Sequence, residues 1–338
     1  MLLGDSMSFF STKWMRTHFW ILTSVFVGLC TWNQYLFPSP ILWIIIGSYC
    51  LLNAYIEFMV IALFIQPGPA KKSIESSEWQ SHFCEYDSRT THIQTLEQDH
   101  IAPLIVFIHG WRGSSASVLE RAQWFVEKGW HVAICELPGH GKSTVVQRWN
   151  AITAAKHLQH HIKNLHIIIK QENVSHVLYY GHSMGGYVFT RISSDESNTP
   201  FNLPLTGLIL ESPLLLYSQI LDEIRDKLKI PFALHRLHLR RVFRDVKNMH
   251  PSITSENLKQ FDIPQWGVPT APTLCLQAKT DSRLGRDHYD AAVEAFTSKC
   301  EFTHHLIESL THSGAKTNDD RETLLLEWLQ TFDSNMLA

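Results

Sequence analysis

From Pro103 onward, short continuous apolar runs alternate with stretches whose apolar residues recur every three to four positions. The runs PLIVFIHG (103–110), WHVAICELPG (130–139), SHVLYYGHS (175–183), TGLILESP (206–213), PTLCLQA (272–278) and EFTHHLIE (301–308) predict buried strands. Between them, helical spacing predicts helices over 114–129, 150–171, 184–193, 287–299 and 319–332. Ahead of these, 79–86 and 92–97 read as a strand pair around the turn DSRT. Continuous apolar strands need cover on both faces, so the pattern predicts an α/β fold with a mostly parallel sheet between helix layers. About sixty helix-prone and loop-prone residues break the rhythm between 211 and 272. An insertion there belongs above the carboxyl ends of the strands, and 213–268 is read as a lid.

The first 66 residues follow a different pattern. FWILTSVFVGLCTWNQYLF (19–37) and ILWIIIGSYCLLNAYIEFMVIALF (41–64) are each long enough to cross a hydrocarbon layer of about 30 Å as a helix. Pro38 and Pro40 separate them, so residues 1–66 read as a membrane hairpin of two helices, 67–78 as a linker and 79–335 as the α/β domain. Lys13 and Arg16 precede the first run, Lys71 and Lys72 follow the second, and the turn is uncharged. That asymmetry places both ends, and the domain, on the cytoplasmic face. Trp14, Trp20 and Trp32 stand where interfacial anchors would. Two other readings stay open: a pair of buried soluble helices, and a hairpin dipping into one leaflet. Asn53 and Glu57 interrupt the second run; a carboxylate in lipid is expected to snorkel, pair or mark a helix end.

Composition narrows the function. Of 338 residues, 45% are hydrophobic and 18% charged, which excludes a solvated disordered chain. A net charge of -3 gives no global attraction to nucleic acid. None of the six cysteines forms a C-x-x-C pair, so no zinc site or disulfide framework is expected. His157, His160 and His161 have metal-ligand spacing but lack the glutamate of H-E-x-x-H, and read as a solvated helix face. The sequence Gly141-Lys142-Ser143 lacks the first glycine of a phosphate loop, since Glu136 occupies that position. Neither a metal nor a nucleotide site is expected. The basic residues between Arg225 and Lys247 suit either a solvated helix or anionic headgroups.

The segment YYGHSMGGY (179–187) carries the candidate chemistry. Ser183 falls where a strand ends and a helix begins, and Gly181 and Gly185 stand two residues to either side. A sharp strand-to-helix turn brings the two backbones together there, which favours glycine, and it pushes the serine hydroxyl into a cleft. His109 and Gly110 end a neighbouring strand, so the backbone N–H groups of Trp111 and Met184 are candidates for an oxyanion hole. Asp281 follows the strand 272–278 and His312 follows 301–308, giving the order serine, acid, histidine. Glu211, at the end of the strand 206–211, is the reserve acid.

The segments HGW (109–111), ELPGHGKS (136–143) and GHSMGG (181–186), with Asp281 and His312, resemble the α/β-hydrolase superfamily, and most nearly its monoacylglycerol-lipase-like serine hydrolases. The resemblance covers residues 79–335 and implies an α/β-hydrolase fold, ester or lipid-ester hydrolysis, no cofactor and a variable cap. Two departures are visible. Ala278 and Lys279 stand where the family has glycine before its late aspartate, and Glu136 replaces an aspartate. The implied substrates are lipophilic esters, with membrane lipid as the other partner. An acyltransferase using the same residues and a non-catalytic binding module remain as alternatives. Peptidase activity on small peptides also stays open, since related hydrolases carry out that chemistry.

Overall fold

A computed structural model describes residues 13–32, 40–64, 71–146, 149–195, 197, 199–249, 257–313 and 316–332. The chain divides into two compact units. One joins Met1–Ile65 to Gln219–Asn257, and the other joins Gln66–Ser218 to Leu258–Ala338.

The second unit is built on one eight-stranded sheet in the order β1-β2-β4-β3-β5-β6-β7-β8. The strands are β1 (Gln80–Tyr86), β2 (Arg89–Leu96), β3 (Ala102–Ile108), β4 (His131–Cys135), β5 (Val174–His182), β6 (Leu205–Glu211), β7 (Thr273–Ala278) and β8 (Phe302–Ile307). β1 and β2 pair antiparallel, β2 pairs antiparallel with β4, and the other pairs are parallel. Every residue of β3, β4 and β7 is buried, which is why these runs are apolar throughout rather than alternating. The edge strands β1 and β8 mix exposed and partly buried positions.

Helices α3 (Leu119–Val126), α4 (Ala151–Lys163), α5 (Met184–Ile192), α8 (Asp287–Phe296) and α9 (Asp319–Leu329) complete this unit. Asn150 and Asn318 cap α4 and α9 by accepting the N–H groups of Thr153 and Arg321, both at 2.8 Å. Phe107, Phe125, Trp130, Tyr180, Trp328 and Leu329 form the centre of one core layer. The stretch expected as a linker is partly built into this unit: Ile74 is buried and its N–H reaches Ser115 Oγ at 3.0 Å. Cys135 and Cys275 lie buried in strands and are free thiols, as are Cys50, Cys84 and Cys300.

One expectation is overturned. His157 and His161 are buried, not solvated, because β1 closes over their face of α4. Tyr86 stacks on His160 with ring centroids 3.8 Å apart and meets His157 edge-on. Burial pushes the imidazole of His161 down to about 4 and also lowers that of His157. Among the described residues no three His, Cys, Asp or Glu side chains gather as metal ligands.

The first unit is helical. It contains α1 (Lys13–Trp32), α2 (Pro40–Ala62), most of α6 (Tyr217–Lys227) and α7 (His235–Met249). Within α2, Ile44–Ala62 is long and apolar enough to cross a membrane, whereas the apolar stretch of α1 is the shorter Trp20–Leu29. The rest of the first predicted run, 33–37, lies outside the described residues. Val27, Cys50, Ile56 and Val60 are buried, while Ile21, Leu22, Phe26, Ile44, Ile45 and Phe58 are exposed.

Candidate active site

Ser183 stands between β5 and α5 with φ 52° and ψ -113°, a left-handed conformation that an L-residue adopts only under constraint. Its N–H donates to the Glu211 carbonyl at 3.0 Å, and its own carbonyl accepts from Leu214 at 3.1 Å and Tyr187 at 3.2 Å. These bonds hold the elbow from both sides. A Cβ on Gly181 would lie 2.5 Å from Gly186 Cα, so strand and helix do meet at this point. A Cβ on Gly185 would lie 2.0 Å from the Ile108 carbonyl oxygen. Gly185 is therefore demanded by the neighbouring strand β3, not by β5, the strand that leads into its helix.

His312 arrives on the loop after β8. Its Nε2 is 3.1 Å from Ser183 Oγ and its Nδ1 is 2.7 Å from Asp281 Oδ2. Asp281 Oδ2 also accepts from Gln277 Nε2 at 2.9 Å, and Oδ1 accepts the N–H groups of Arg283 at 2.8 Å and Leu284 at 3.0 Å. Burial by itself would raise this carboxyl. The hydrogen bonds from His312, Leu284 and Arg283 outweigh burial and hold it at about 2. An ionised Asp281 keeps the proton of the neutral imidazole on Nδ1, which leaves the Nε2 lone pair facing the serine. Ser183, His312 and Asp281 thus form one hydrogen-bonded chain.

Glu211 is placed elsewhere. Its carboxylate is fully buried and accepts from Arg121 Nε at 2.8 Å and from the hydroxyl of Tyr180, with Arg321 Nη1 3.6 Å away. Burial opposes ionisation, yet Arg121 and Arg321 hold the carboxyl well below the usual carboxylate range. Its contribution beside the elbow is the backbone carbonyl that receives Ser183. His304, on β8, has its Nδ1 taken by the Tyr289 hydroxyl at 2.6 Å.

The loop after β3 that carries the candidate oxyanion donor Trp111 is fixed by histidines whose side chains the sequence did not single out for this purpose. His109 Nε2 accepts from the Leu137 N–H at 3.1 Å, so its proton lies on Nδ1, which donates to the Gly110 carbonyl at 2.8 Å. Gly113 N–H donates to the same carbonyl at 2.9 Å. In a planar trans peptide the Trp111 N–H points opposite to that carbonyl, away from both donors. Gly110 lies against the nucleophile: a Cβ on it would come within 3.2 Å of Ser183 Cβ. His140 fixes the next peptide, donating from Nδ1 to the Pro138 carbonyl at 3.0 Å and accepting the Arg112 N–H on Nε2 at 3.1 Å. Burial pushes the His140 imidazole down to about 3, so both histidines serve as neutral brackets. Met184 is the first residue of α5, where a helix leaves its N–H groups without intrahelical partners.

The loop 136–143 wraps a carboxylate rather than a phosphate. Glu136 accepts from the Ser115 N–H and Oγ, both at 2.8 Å, from the Lys142 N–H at 2.7 Å and from His92 Nδ1 at 2.8 Å. A Cβ on Gly141 would fall 1.8 Å from Glu136 Oε2, so this glycine exists to admit the carboxylate.

Two further histidines position the site. His182 Nε2 donates to the His312 carbonyl at 2.6 Å, tying the histidine loop to the elbow. His288 Nδ1 accepts the N–H groups of Leu215 at 2.8 Å and Leu216 at 3.2 Å, anchoring the segment that follows the elbow contact at Leu214. Burial pushes both imidazoles down to about 4. The position of His182 next to the serine is its signal in sequence; nothing near His288 announces its role.

Residues 99–263 match the family of serine aminopeptidases, S33. Among solved structures, an esterase of Pyrococcus furiosus is 14% identical, with a TM-score of 0.55 over 81% of this chain and 100% of that one. A thermophilic esterase from the Planctomycetes species Thermogutta terrifontis is 14% identical, with a TM-score of 0.55 over 80% of this chain and 98% of that one. None of the curated proteins matches the chain.

Proposed function

We propose that this serine hydrolase of the α/β-hydrolase fold cleaves carboxylic esters of lipophilic substrates, of monoacylglycerol or lysophospholipid type, while held at a membrane by its N-terminal helices. The carrying observation is the chain from Ser183 Oγ through the His312 imidazole to Asp281 on a strained elbow. His312 Nε2 takes the Ser183 proton as Oγ attacks the ester carbonyl, and Asp281 stabilises the resulting imidazolium. The N–H groups of Trp111 and Met184 receive the developing oxyanion. His312 then returns the proton to the leaving alcohol, and an acyl-serine remains. Water, deprotonated by the same imidazole, releases the carboxylic acid and regenerates the serine.

The family match raises peptide cleavage as a competing reading. An aminopeptidase needs a carboxylate to receive the substrate's ammonium group. Asp281 is taken up by His312, Gln277 and two backbone N–H groups, and Glu211 by Arg121, Tyr180 and Arg321. Neither of these carboxylates is left for an ammonium, which favours an ester. The proposed membrane placement is supported by Ile44–Ala62, and its cytoplasmic orientation by the basic flanks Lys13, Arg16, Lys71 and Lys72 under the positive-inside rule.

The test is hydrolysis of a series of glyceryl and p-nitrophenyl esters of rising acyl length beside aminoacyl amides, with added glycerol to reveal transacylation. The expected result is kcat/KM rising with chain length, with free acid as the main product. Cleavage of the amides with no turnover of any ester would overturn the reading, and glycerol acylation outpacing acid release would make the enzyme a transferase.

A further inference from the structure

Glu57 lies inside the apolar stretch Ile44–Ala62, about 7.5 Å along the axis from Ala62 at the helical rise of about 1.5 Å per residue. Its side chain is 2% exposed. Arg241 Nη1 and Arg244 Nη2, both on α7, reach its Oε1 at 2.9 and 2.8 Å. Arg241 also donates to the Asn53 carbonyl at 3.2 Å and to the Asn53 side-chain oxygen. Asn53 and Glu57 are spaced i, i+4 on α2, and Arg241 and Arg244 are spaced i, i+3 on α7, so each pair forms one stripe of its helix.

A carboxylate in an apolar helix weakens anchoring, and a leucine at 57 would anchor better. Two arginines from a segment 184 and 187 residues away offset that cost. The polar stripe of α2 is therefore a receptor for α7. Val242, Phe243 and Val246 are buried in the later turns of α7, while Arg236, Leu237 and Arg240, in its first two turns, stand exposed. Lys229 and Phe232, the latter 87% exposed, precede those first turns. Exposed arginines beside exposed apolar side chains, on a helix packed near the end of an apolar helix, match the chemistry of an anionic bilayer surface.

Resting on the membrane placement proposed above, we propose that Asn53 and Glu57 latch the insertion helix α7 to α2, and that its outer face, from Lys229 through Phe232, Arg236 and Arg240, docks on anionic lipid headgroups. The insertion is then part of the membrane-bound unit instead of a cap on the hydrolase alone. It leaves the sheet unit after Ser218, a few residues beyond Leu214, whose N–H holds the Ser183 carbonyl.

Hydrogen exchange of the full chain in nanodiscs of phosphatidylcholine, with and without phosphatidylglycerol, tests this. Backbone amides over 229–240 are expected to exchange more slowly when phosphatidylglycerol is present. Glu57→Gln is expected to speed exchange over 235–249 by about tenfold or more, since half of a buried ion pair is removed, while 44–62 stays protected. The double variant Arg236→Glu with Arg240→Glu changes only exposed side chains and is expected to erase the lipid difference. It therefore tests the surface even where Glu57→Gln folds poorly. Unchanged exchange over 235–249 in Glu57→Gln, or equal exchange over 229–240 in the two lipids, overturns the proposal. A wild-type chain that stays in solution when detergent is removed overturns it together with the membrane placement, and leaves the Ser183 chemistry untouched.

Discussion

Two serine–histidine–carboxylate chains lie in the same sheet. At the carboxyl ends of the central strands, Ser183 meets His312 at 3.1 Å and His312 meets Asp281 at 2.7 Å. At the β1–β2 edge, Ser81 meets His92 at 3.2 Å and His92 meets Glu136 at 2.8 Å. Measured by these distances alone the two are nearly equivalent. Their surroundings are not. Ser183 sits at φ 52° at the start of a helix, beside the peptide of Gly110 and Trp111. Ser81 lies within a regular strand, where its hydroxyl also meets Gln94 Nε2 at 3.4 Å, and no helix begins at it. A relay of hydrogen bonds can raise the basicity of a hydroxyl, but acyl transfer also needs N–H groups aimed at the developing oxyanion. At the elbow a helix begins at Met184 and the Gly110 backbone lies against the serine, the two elements proposed to supply them; no helix begins at Ser81. Around Glu136 the second chain serves structure: the carboxylate gathers Ser115, Lys142 and His92 and thereby shapes the loop that carries His140.

The largest expected effect breaks the comparison at its serines. Ser183→Ala should lower kcat for ester hydrolysis by about 10⁵-fold or more, whereas Ser81→Ala should leave kcat/KM within about twofold, since no oxyanion donor serves it. Equal losses from the two variants, measured on one soluble ester, would erase the distinction.

The carboxylates should separate next. Asp281→Asn should lower kcat by about 10⁴-fold with little change in Tm, because the imidazole is held in the wrong tautomer. Glu136→Gln should instead destabilise the fold by about 3–5 kcal/mol, with kcat of the folded fraction reduced less than about tenfold. Denaturant melts and kcat measured on the same preparations distinguish the two.

A third expectation concerns pH. Burial lowers the imidazoles of His161, His182 and His288 to about 4 and that of His140 to about 3. Each binds fewer protons folded than unfolded below the unfolded value near 6.5. Their contribution to stability is therefore complete above about pH 6.5 and is lost as pH falls toward 4. Tm should drop on the order of 10 °C between pH 7 and pH 5. The Asp281 and Glu136 carboxyls, both held at about 2, stay ionised throughout that window. A flat Tm profile would show that these rings are not buried neutral.

The smallest effect sharpens the picture of the elbow. His182→Phe removes one hydrogen bond to the His312 carbonyl, worth about 1 kcal/mol. It should lower kcat roughly fivefold while KM holds, a split that steady-state kinetics reads directly.

How much of this was legible in the sequence depends on range. Ser183, Gly181 and the strands around them were readable because strand, turn and helix follow one another within YYGHSMGGY, where local sterics decide the fold. The order of Asp281 and His312 was readable because each closes an apolar run. Gly185 was expected where strand and helix nearly touch, whereas the backbone it meets belongs to β3, 77 positions earlier in the chain by numbering from Ile108. The burial of His157 and His161 was not readable: helical spacing says which residues share a face, not that Tyr86 on β1 will cover it. His92 and Glu136 meet only because β2 pairs with β4, a register that no local pattern encodes. Glu57 was visible as an anomaly, but its partners on α7 lie almost two hundred positions away.

The most direct measurement of the central claim is covalent labelling of the full chain with a fluorophosphonate, followed by peptide mapping. A single adduct on Ser183, absent from Ser183→Ala and greatly slowed in His312→Ala, is the predicted result. An adduct on Ser81 or elsewhere, or undiminished labelling of Ser183→Ala, would contradict it.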